Sequence, residues 1–425
     1  MTDTTNPHEL FDSEASGEAF RVMAKLSDAG FVAYLAGGCV RDALLGRPPK
    51  DFDVATNATP ESVRDVFGRK RTLAFGASFG VIGVLPEKSS KQSNAVLPTE
   101  VATFRSDGDY SDGRRPDSVQ YGSAEEDALR RDFTINGMFY DPVAAKVIDY
   151  VGGQDDLQSG VLRTIGTASH RIDEDKLRML RAVRFATTLG FAIHDDTRNA
   201  IRDHASEIAV VSGERIGAEM RKILKSENVA EGLRKLFDCD LNQPIIPELK
   251  EDQLESISKH LDALPSKTVE SSLAAILVGA ELDAKSLRSL TKRWKLANEE
   301  ARQIDASLKH WKTITSADSL PWSVVQPVLI DRDAAVIVDV AQAAAVANSI
   351  PDAGVTIARD ALGWETQRLN PKPLLTGDDL TSSGIAAGPV FKEILSTVRN
   401  AQLDNKITTQ DQAFAIANEI LERDG

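Results

Sequence analysis

Apolar positions recur at helical spacing in "SEASGEAFRVMAKLSDAG" and predict an amphipathic helix closed by Gly30. "FVAYLAGG" then predicts a strand that runs into a glycine turn, and "CVRDALLG" a short helix ending at Gly46. "DFDVAT" reads as a second strand. "TPESVRDVF" opens a helix with Thr59 at its N-cap and Pro60 at its first position. "GVIGVLP" and "TEVATF" form a predicted β-pair across the polar loop "EKSSKQSNAV". From about residue 170 the period changes. "RIDEDKLRMLRAVRFATTLGF", "ERIGAEMRKILKS", "VAEGLRKLFD", "ESSLAAILVGAELDAKSLRSLTKRW" and "AAVIVDVAQAAAVA" carry helical spacing and almost no strand signal. The expected fold class is α+β, with a small sheet near the N-terminus and a helical remainder.

At 425 residues the chain is too long for one core and implies roughly three domains of about 150 residues each. Two cysteines, Cys39 and Cys239, cannot build a disulfide framework, and the six histidines show no metal-ligand spacing. The opening "MTDTTNPHELFDSEASGEAF" is polar and acidic, without a charged-then-apolar leader, and no apolar run approaches 18 residues. These features predict a cytoplasmic protein with no membrane partner. The net charge of −14 argues against unspecific coating of nucleic acid, yet leaves room for a local basic strip.

One stretch changes the picture: "LAGGCVRDALLGRPPKDFDVAT", Leu35 to Thr56. In a strand, Asp51 and Asp53 project to one side while Phe52 points to the other. Two carboxylates side by side repel by roughly 4 kcal/mol at 4 Å and an effective dielectric near 20. Paired hard oxygen ligands of this kind suit Mg²⁺ that shares substrate phosphates. Alone, the pair would read equally well as an exposed acidic strand end. Ahead of it, however, Gly37 and Gly38 form a strand-to-helix turn that can meet an anion, and Arg41 adds a guanidinium fork. Together they describe a phosphate cradle beside a divalent-cation site.

With "RRDFTINGMFYDP" further on, these residues resemble the class II tRNA nucleotidyltransferases and bacterial poly(A) polymerases, of the DNA polymerase β-like superfamily. "DEDKLRMLRAVRFATTLGF" is similar to that family's nucleotide-templating helix, "ERIGAEMRKIL" to its neck helix, and "LLTGDDLTSSGIAAGPVFKEIL" to the end of the CCA-adding branch. The resemblance implies a nucleotidyltransferase head with a mixed sheet over 1–150, a neck over 151–226, a helical body over 227–330 and a tRNA-binding tail over 331–425. It implies two-metal transfer at Asp51 and Asp53 with Mg²⁺, with Glu100 of "PTEVATFR" as a third carboxylate. The implied reaction is template-independent addition of CCA to tRNA 3′ ends from CTP and ATP.

In the family, residues such as Arg130, Arg131, Asp132 and Asn136 hold the triphosphate and ribose, and Asp132 accepts from a 2′-hydroxyl. Cys39 and Gly137 stand where alanine is frequent, and both read as packing variants. Asp175 and Arg178, three apart on a helix, share one face. Aspartate accepting an exocyclic amino group and arginine donating to the adjacent ring nitrogen match cytosine and adenine. Uracil and guanine reverse that pattern. Glu174 is expected to orient Arg178. Arg163, Arg171, Lys176, Arg181 and Arg184 form a basic strip suited to a phosphate-rich partner, with Arg181 also in the nucleotide pocket. Gly388 and Pro389 start a helix whose amides can face an RNA phosphate.

"FRSDGDYSDGRRPDSVQYG" is expected to be a mobile loop carrying Arg105, Arg114 and Arg115. In the family a loop at this place helps the pocket pass from CTP to ATP. Alternatives within the fold are an A-only enzyme or a poly(A) polymerase. From other classes, they are a catalytically inactive RNA-binding module or a small-molecule adenylyltransferase. Oligomeric state is not encoded in any of these signals.

Overall fold

A computed structural model describes residue 11 and residues 13–76, 80–87, 97–108, 118–385 and 388–424. Helix α1 (Glu14–Asp28) begins where the Ser13 side chain accepts from the Ser16 amide, and it buries Ala19, Val22, Met23 and Leu26. Strand β1 (Ala33–Ala36), helix α2 (Gly38–Leu44), strand β2 (Asp53–Thr56) and helix α3 (Pro60–Phe67) follow. Thr59 caps α3 through the Ser62 amide, as the sequence predicts.

Then come β3 (Thr72–Gly76), β4 (Val81–Val84), β5 (Thr99–Thr103), the short strands β6 (Arg105–Asp107) and β7 (Val119–Tyr121), helix α4 (Ala124–Leu129), and β8 (Phe139–Asp141) with β9 (Lys146–Ile148). Among the described residues the main sheet has seven strands in the order β3-β4-β5-β2-β1-β8-β9. β2 and β5 run parallel and the other neighbours antiparallel, so the sheet is mixed.

This topology assembles the site. The β2–β5 register sets Asp53 beside Glu100, and the β1–β2 register sets Ala36 beside Asp53. The turn that leaves β1 at Gly37 therefore emerges next to the carboxylates. Asp51 lies just before the first residue of β2, but the alternation extends to it: Asp51 and Asp53 are exposed and Phe52 is buried. Phe52 packs edge-on against Phe11, with ring centroids 5.9 Å apart.

Helices α5 (Gly153–Ser159), α6 (Ala168–Glu174), α7 (Leu177–Leu189), α8 (Asp195–His204) and α9 (Gly213–Leu224) continue the chain. Between α6 and α7 the structure departs from the expected continuous helix. Asp175 is extended (φ −152°, ψ 106°), and its Oδ1 accepts from the Leu177 amide at 3.1 Å. An aspartate that bonds a nearby amide competes with helical bonding and caps the next helix instead.

The chain folds into two compact units, Met1–Glu219 with Lys235–Ile245, and Met220–Arg234 with Ile246–Gly425. The second unit is helical throughout its described residues from 254 onward. Its helix Val269–Gly279 buries every residue except Glu270. Full burial of a leucine or isoleucine is worth about 1.5–3 kcal/mol. One apolar cluster joins Ile314, Val325, Leu329, Ile337, Val338 and Ala358. A second joins Leu375, Leu380, Ile394, Val398, Ala413 and Ile420. The expected boundary at 330/331 therefore cuts through a single core, because helix Trp322–Leu329 and helix Ala334–Ala347 bury their apolar faces together.

Candidate active site

The strand-to-helix turn after β1 requires glycine. Gly37 adopts φ +71°, and a Cβ there would lie 2.9 Å from Arg131 Nη1. The Gly37 amide donates to Met138 O at 3.0 Å, so this donor is spent on the fold rather than facing an anion. Cys39 is buried beneath the turn, and burial pushes its thiol up to about 12, which removes it as a nucleophile.

One cavity gathers Gly37, Gly38, Arg41, Asp53, Arg130, Arg131, Asp132, Asn136, Asp175, Arg178 and Arg181. Eleven of the expected site residues thus meet on one surface, drawn from the turn after β1, α2, β2, the segment after α4, the break after α6, and α7. Two further expected residues, Asp51 and Glu100, line a neighbouring cavity that also contains Asp53.

An ordered charge network lines the wall. Asp127, almost wholly buried in α4, accepts from Arg130 Nη2 at 2.6 Å and from Arg131 Nη2 at 2.9 Å. Asp132 accepts from Arg181 Nη2 at 2.5 Å, from Asn136 Nδ2 at 3.1 Å and from the Phe133 amide at 2.8 Å. Burial alone would raise the Asp132 carboxyl, but the Arg181 guanidinium outweighs it and holds the group at about 2. Asn136 Oδ1 in turn accepts from Arg41 Nη1 at 2.7 Å, while Arg41 Nη2 donates to Asp42 at 2.7 Å. Phe185 forms the floor, with the guanidiniums of Arg184, Arg41 and Arg181 over its ring at 3.3, 5.1 and 5.4 Å.

The mouth behaves in the opposite way. Asp53 is exposed along its edge, yet surrounding protein desolvates its carboxyl. With Glu100 and Asp51 adding repulsion against only partial relief from Arg131, its pKa rises to about 6. Here negative charge is in excess.

Asp175 and Arg178 reach the same cavity from either side of the α6–α7 break, not from one helix face. Asp175 Oδ2 accepts from Arg215 Nη2 at 2.6 Å. Arg178 Nη1 donates to Arg171 O at 2.9 Å and to Glu174, so Glu174 does orient it. Arg178 Nε and Nη2 donate to no described residue.

The expected basic strip is not a free positive surface. Arg163 pairs with Asp156, Arg171 with Glu174, Lys176 with Asp173 and Glu207, Arg181 with Asp132, and Arg184 with Glu219. Each cation has its own carboxylate, which cancels the field that the basic residues alone would make. Among the described residues, one group of His, Asp and Glu brings its ligand atoms within 4.8 Å of one another: Asp173, His204 and Glu207. The Lys176 ammonium bridges Asp173 and Glu207 there.

Arg105 begins β6, which pairs with β7 through Arg105 and Tyr121, so the ends of the expected loop are a two-stranded ribbon. Arg114 and Arg115 lie outside the described residues. Gly388 caps the helix Pro389–Leu403, with Pro389 at its first position.

Sequence reasoning passed over Asp127, Phe185 and Arg215. Asp127 precedes Arg130 and Arg131 by three and four residues, and Phe185 follows Arg181 by four, so helical spacing carried both signals. Arg215 lies 40 residues from Asp175, and nothing local announces the pair.

Comparison with known proteins gives a consistent picture. The family model of the poly A polymerase head domain matches residues 33–163, and a tRNA nucleotidyltransferase domain 2 model matches residues 264–417. The CCA-adding enzyme of Lactiplantibacillus plantarum is 37% identical over 68% of this chain and 69% of its own length. That of Geobacillus kaustophilus is 33% identical over 93% and 94%. The crystal structure of the Bacillus stearothermophilus CCA-adding enzyme in complex with CTP superposes with a TM-score of 0.78 at 29% identity, covering 97% of this chain and 98% of the other.

Proposed function

The chain belongs to the CCA-adding enzyme family, and on that premise we propose that the cavity around Asp53 binds CTP and ATP in turn and joins them to the 3′ end of tRNA. The observation that carries this reading is that Asp53 is shared by an arginine-lined cavity and by a neighbouring one that holds Asp51 and Glu100. Asp51, Asp53 and Glu100 offer hard oxygen ligands, and the raised Asp53 pKa marks an unmet demand for positive charge. The donor set therefore fits Mg²⁺. When bound, the metal supplies activation of the terminal hydroxyl and shielding of the triphosphate charge.

The chain's own residues do the rest. Arg130 and Arg131, tethered by Asp127, present guanidinium edges to phosphate oxygens. Asp132, kept ionised by Arg181, retains acceptor capacity for a ribose hydroxyl. Phe185 and the guanidiniums above it make a flat floor. Asp175 accepts the exocyclic amino group of cytosine or adenine, and the uncommitted Nε and Nη2 of Arg178 donate to the ring nitrogen beside it. A uracil or guanine there would set donor against donor and acceptor against acceptor.

The segment holding Arg105, Arg114 and Arg115 stands between the carboxylate strands and the arginine wall in the sequence. Within this reading, it helps the pocket change from cytosine to the larger adenine. Residues of the helical tail, including the turn at Gly388, are assigned to tRNA, and the protein acts in the cytoplasm.

The test offers tRNA lacking CCA, tRNA ending in C and tRNA ending in CC, with each nucleoside triphosphate separately. The expected result is addition of C to the first two and of A to the third, with UTP and GTP refused. Addition of A alone, or of long A tracts, would move the chain to the A-only or tail-polymerising branch.

A further inference from the structure

An in-line displacement brings the nucleophile to the α-phosphorus from the side away from the leaving pyrophosphate. If the nucleotide occupies the cavity of the arginine wall, the RNA end needs its own approach to Asp53. Among the described residues, two further cavities reach Asp53. One adds Glu14 and Glu100 to Asp51 and Asp53 with Lys50 as its one cation, and this excess of carboxylates repels a phosphodiester. The other, about 460 Å³, runs from Gly38, Arg41 and Asp53 past Asp51 to Arg47, Pro48, Lys50 and Thr188, and its further carboxylate, Asp42, is paired with Arg41.

Arg47 and Lys50 differ from the cations of the wall. Arg130, Arg131, Arg178, Arg181 and Arg184 are each committed to a carboxylate. Arg47 is exposed, and its side chain makes one long contact among the described residues, 3.5 Å from Nη1 to Thr188 O. Lys50 is exposed as well, and neither side chain has an ion-pair partner among the described residues. Both sit on the segment between α2 and β2, within four residues of Asp51. Pro48 and Pro49 stiffen the backbone between them by fixing φ. Two cations without ion-pair partners among the described residues thus stand on a stiff segment at the edge of a cavity that opens on Asp51 and Asp53.

We propose that Arg47 and Lys50 hold backbone phosphates of the RNA acceptor strand and position its terminal hydroxyl against Asp51 and Asp53. This rests on the nucleotidyl-transfer reading above. The same chemistry would bind released pyrophosphate, so the experiment separates the two sources.

Arg47→Ala, Lys50→Ala and the double variant are compared with Arg47→Lys and Lys50→Arg in steady-state C addition. KM is measured separately for tRNA and CTP, together with inhibition by pyrophosphate and the salt dependence of tRNA binding. The double alanine variant is expected to raise KM for tRNA roughly 10-fold or more, while KM for CTP and the pyrophosphate inhibition constant stay within about 2-fold. Its log–log salt slope should be shallower by about one to two. The charge-keeping variants should recover most of the tRNA affinity.

An unchanged KM for tRNA would overturn the proposal. So would a change in pyrophosphate inhibition with tRNA untouched, which would make the site an exit for the leaving group. Equal weakening of CTP and tRNA would assign the residues to the nucleotide and overturn it too. Failure of the unmodified chain to add C to any tRNA is a separate outcome and would fall on the nucleotidyl-transfer reading itself.

Discussion

Asp53 and Asp132 line one cavity, yet their surroundings treat a carboxylate in opposite ways. At Asp132 the arginine wall overcompensates: Arg181 and Asn136 grip both oxygens, and the pKa falls to about 2. At Asp53 desolvation, with Glu100 and Asp51 adding repulsion that Arg131 only partly relieves, raises the pKa to about 6. The first carboxylate already has its counterion. The second is incomplete, and what would complete it is a cation. A site that handles triphosphates needs both, a rigid basic wall for the substrate and an anionic notch for metal.

The largest effect should follow from removing the notch. Asp53→Asn is expected to lower C and A addition by roughly 10³-fold or more, the scale of several kcal/mol of lost charge stabilisation. Binding of tRNA should persist in a filter or gel assay. Near-normal metal-dependent turnover in this variant would erase the distinction between the two carboxylates.

Next in size is the edge proposed to read the base. Arg178→Ala should relax the exclusion of UTP and GTP by about 10–100-fold, the cost of 1–3 kcal/mol for an unmet polar group. Affinity for the triphosphate should change less, because Arg130 and Arg131 remain anchored on Asp127. Discrimination is read from competing incorporation of the four triphosphates into tRNA ending in CC.

Damage to the wall should appear as lost stability. Asp132→Asn leaves the Arg181 guanidinium without its counterion. Breaking a buried pair on one side costs about 3–5 kcal/mol, and partial exposure of Arg181 brings the expected loss to about 2 kcal/mol. The pH dependence has a definite sign. A carboxyl depressed in the folded state stabilises above its unfolded pKa, so the Asp132 contribution is present above about pH 4 and fades as pH falls toward 2. The contrast between wild type and Asp132→Asn in chemical denaturation at pH 7 and pH 3 checks this.

The same contrast explains what could be read in advance. The strand alternation at Asp51, Phe52 and Asp53 and the glycine turn are local, and eleven motif residues expected at the site line one cavity. Partnerships across long separations were not legible. Arg184 pairs with Glu219, and Arg215 with Asp175, over 35 and 40 residues. Without those partners, the basic residues of 163–184 look like an open positive strip when they are in fact neutralised. The break at Asp175 has a local cause, its side-chain bond to the Leu177 amide, but the same residue also fits a helix surface. In the second unit, helical character was plain from spacing. Its division was not, because apolar helices on both sides of residue 330 carry the same pattern and only their packing shows that they share a core.

The most direct test of the contrast is the thermal stabilisation by Mg²⁺ alone, measured at pH 7.5 and pH 5 for the unmodified chain, Asp53→Asn and Asp132→Asn. A carboxyl raised in the folded state destabilises it as pH climbs from about 4 through about 6, and a bound cation relieves that penalty only where the group is ionised. The account predicts a rise in Tm with Mg²⁺ at pH 7.5 that shrinks at pH 5, is absent in Asp53→Asn, and survives in Asp132→Asn. An equal rise in Asp53→Asn and the unmodified chain, or one that disappears in Asp132→Asn, would contradict it.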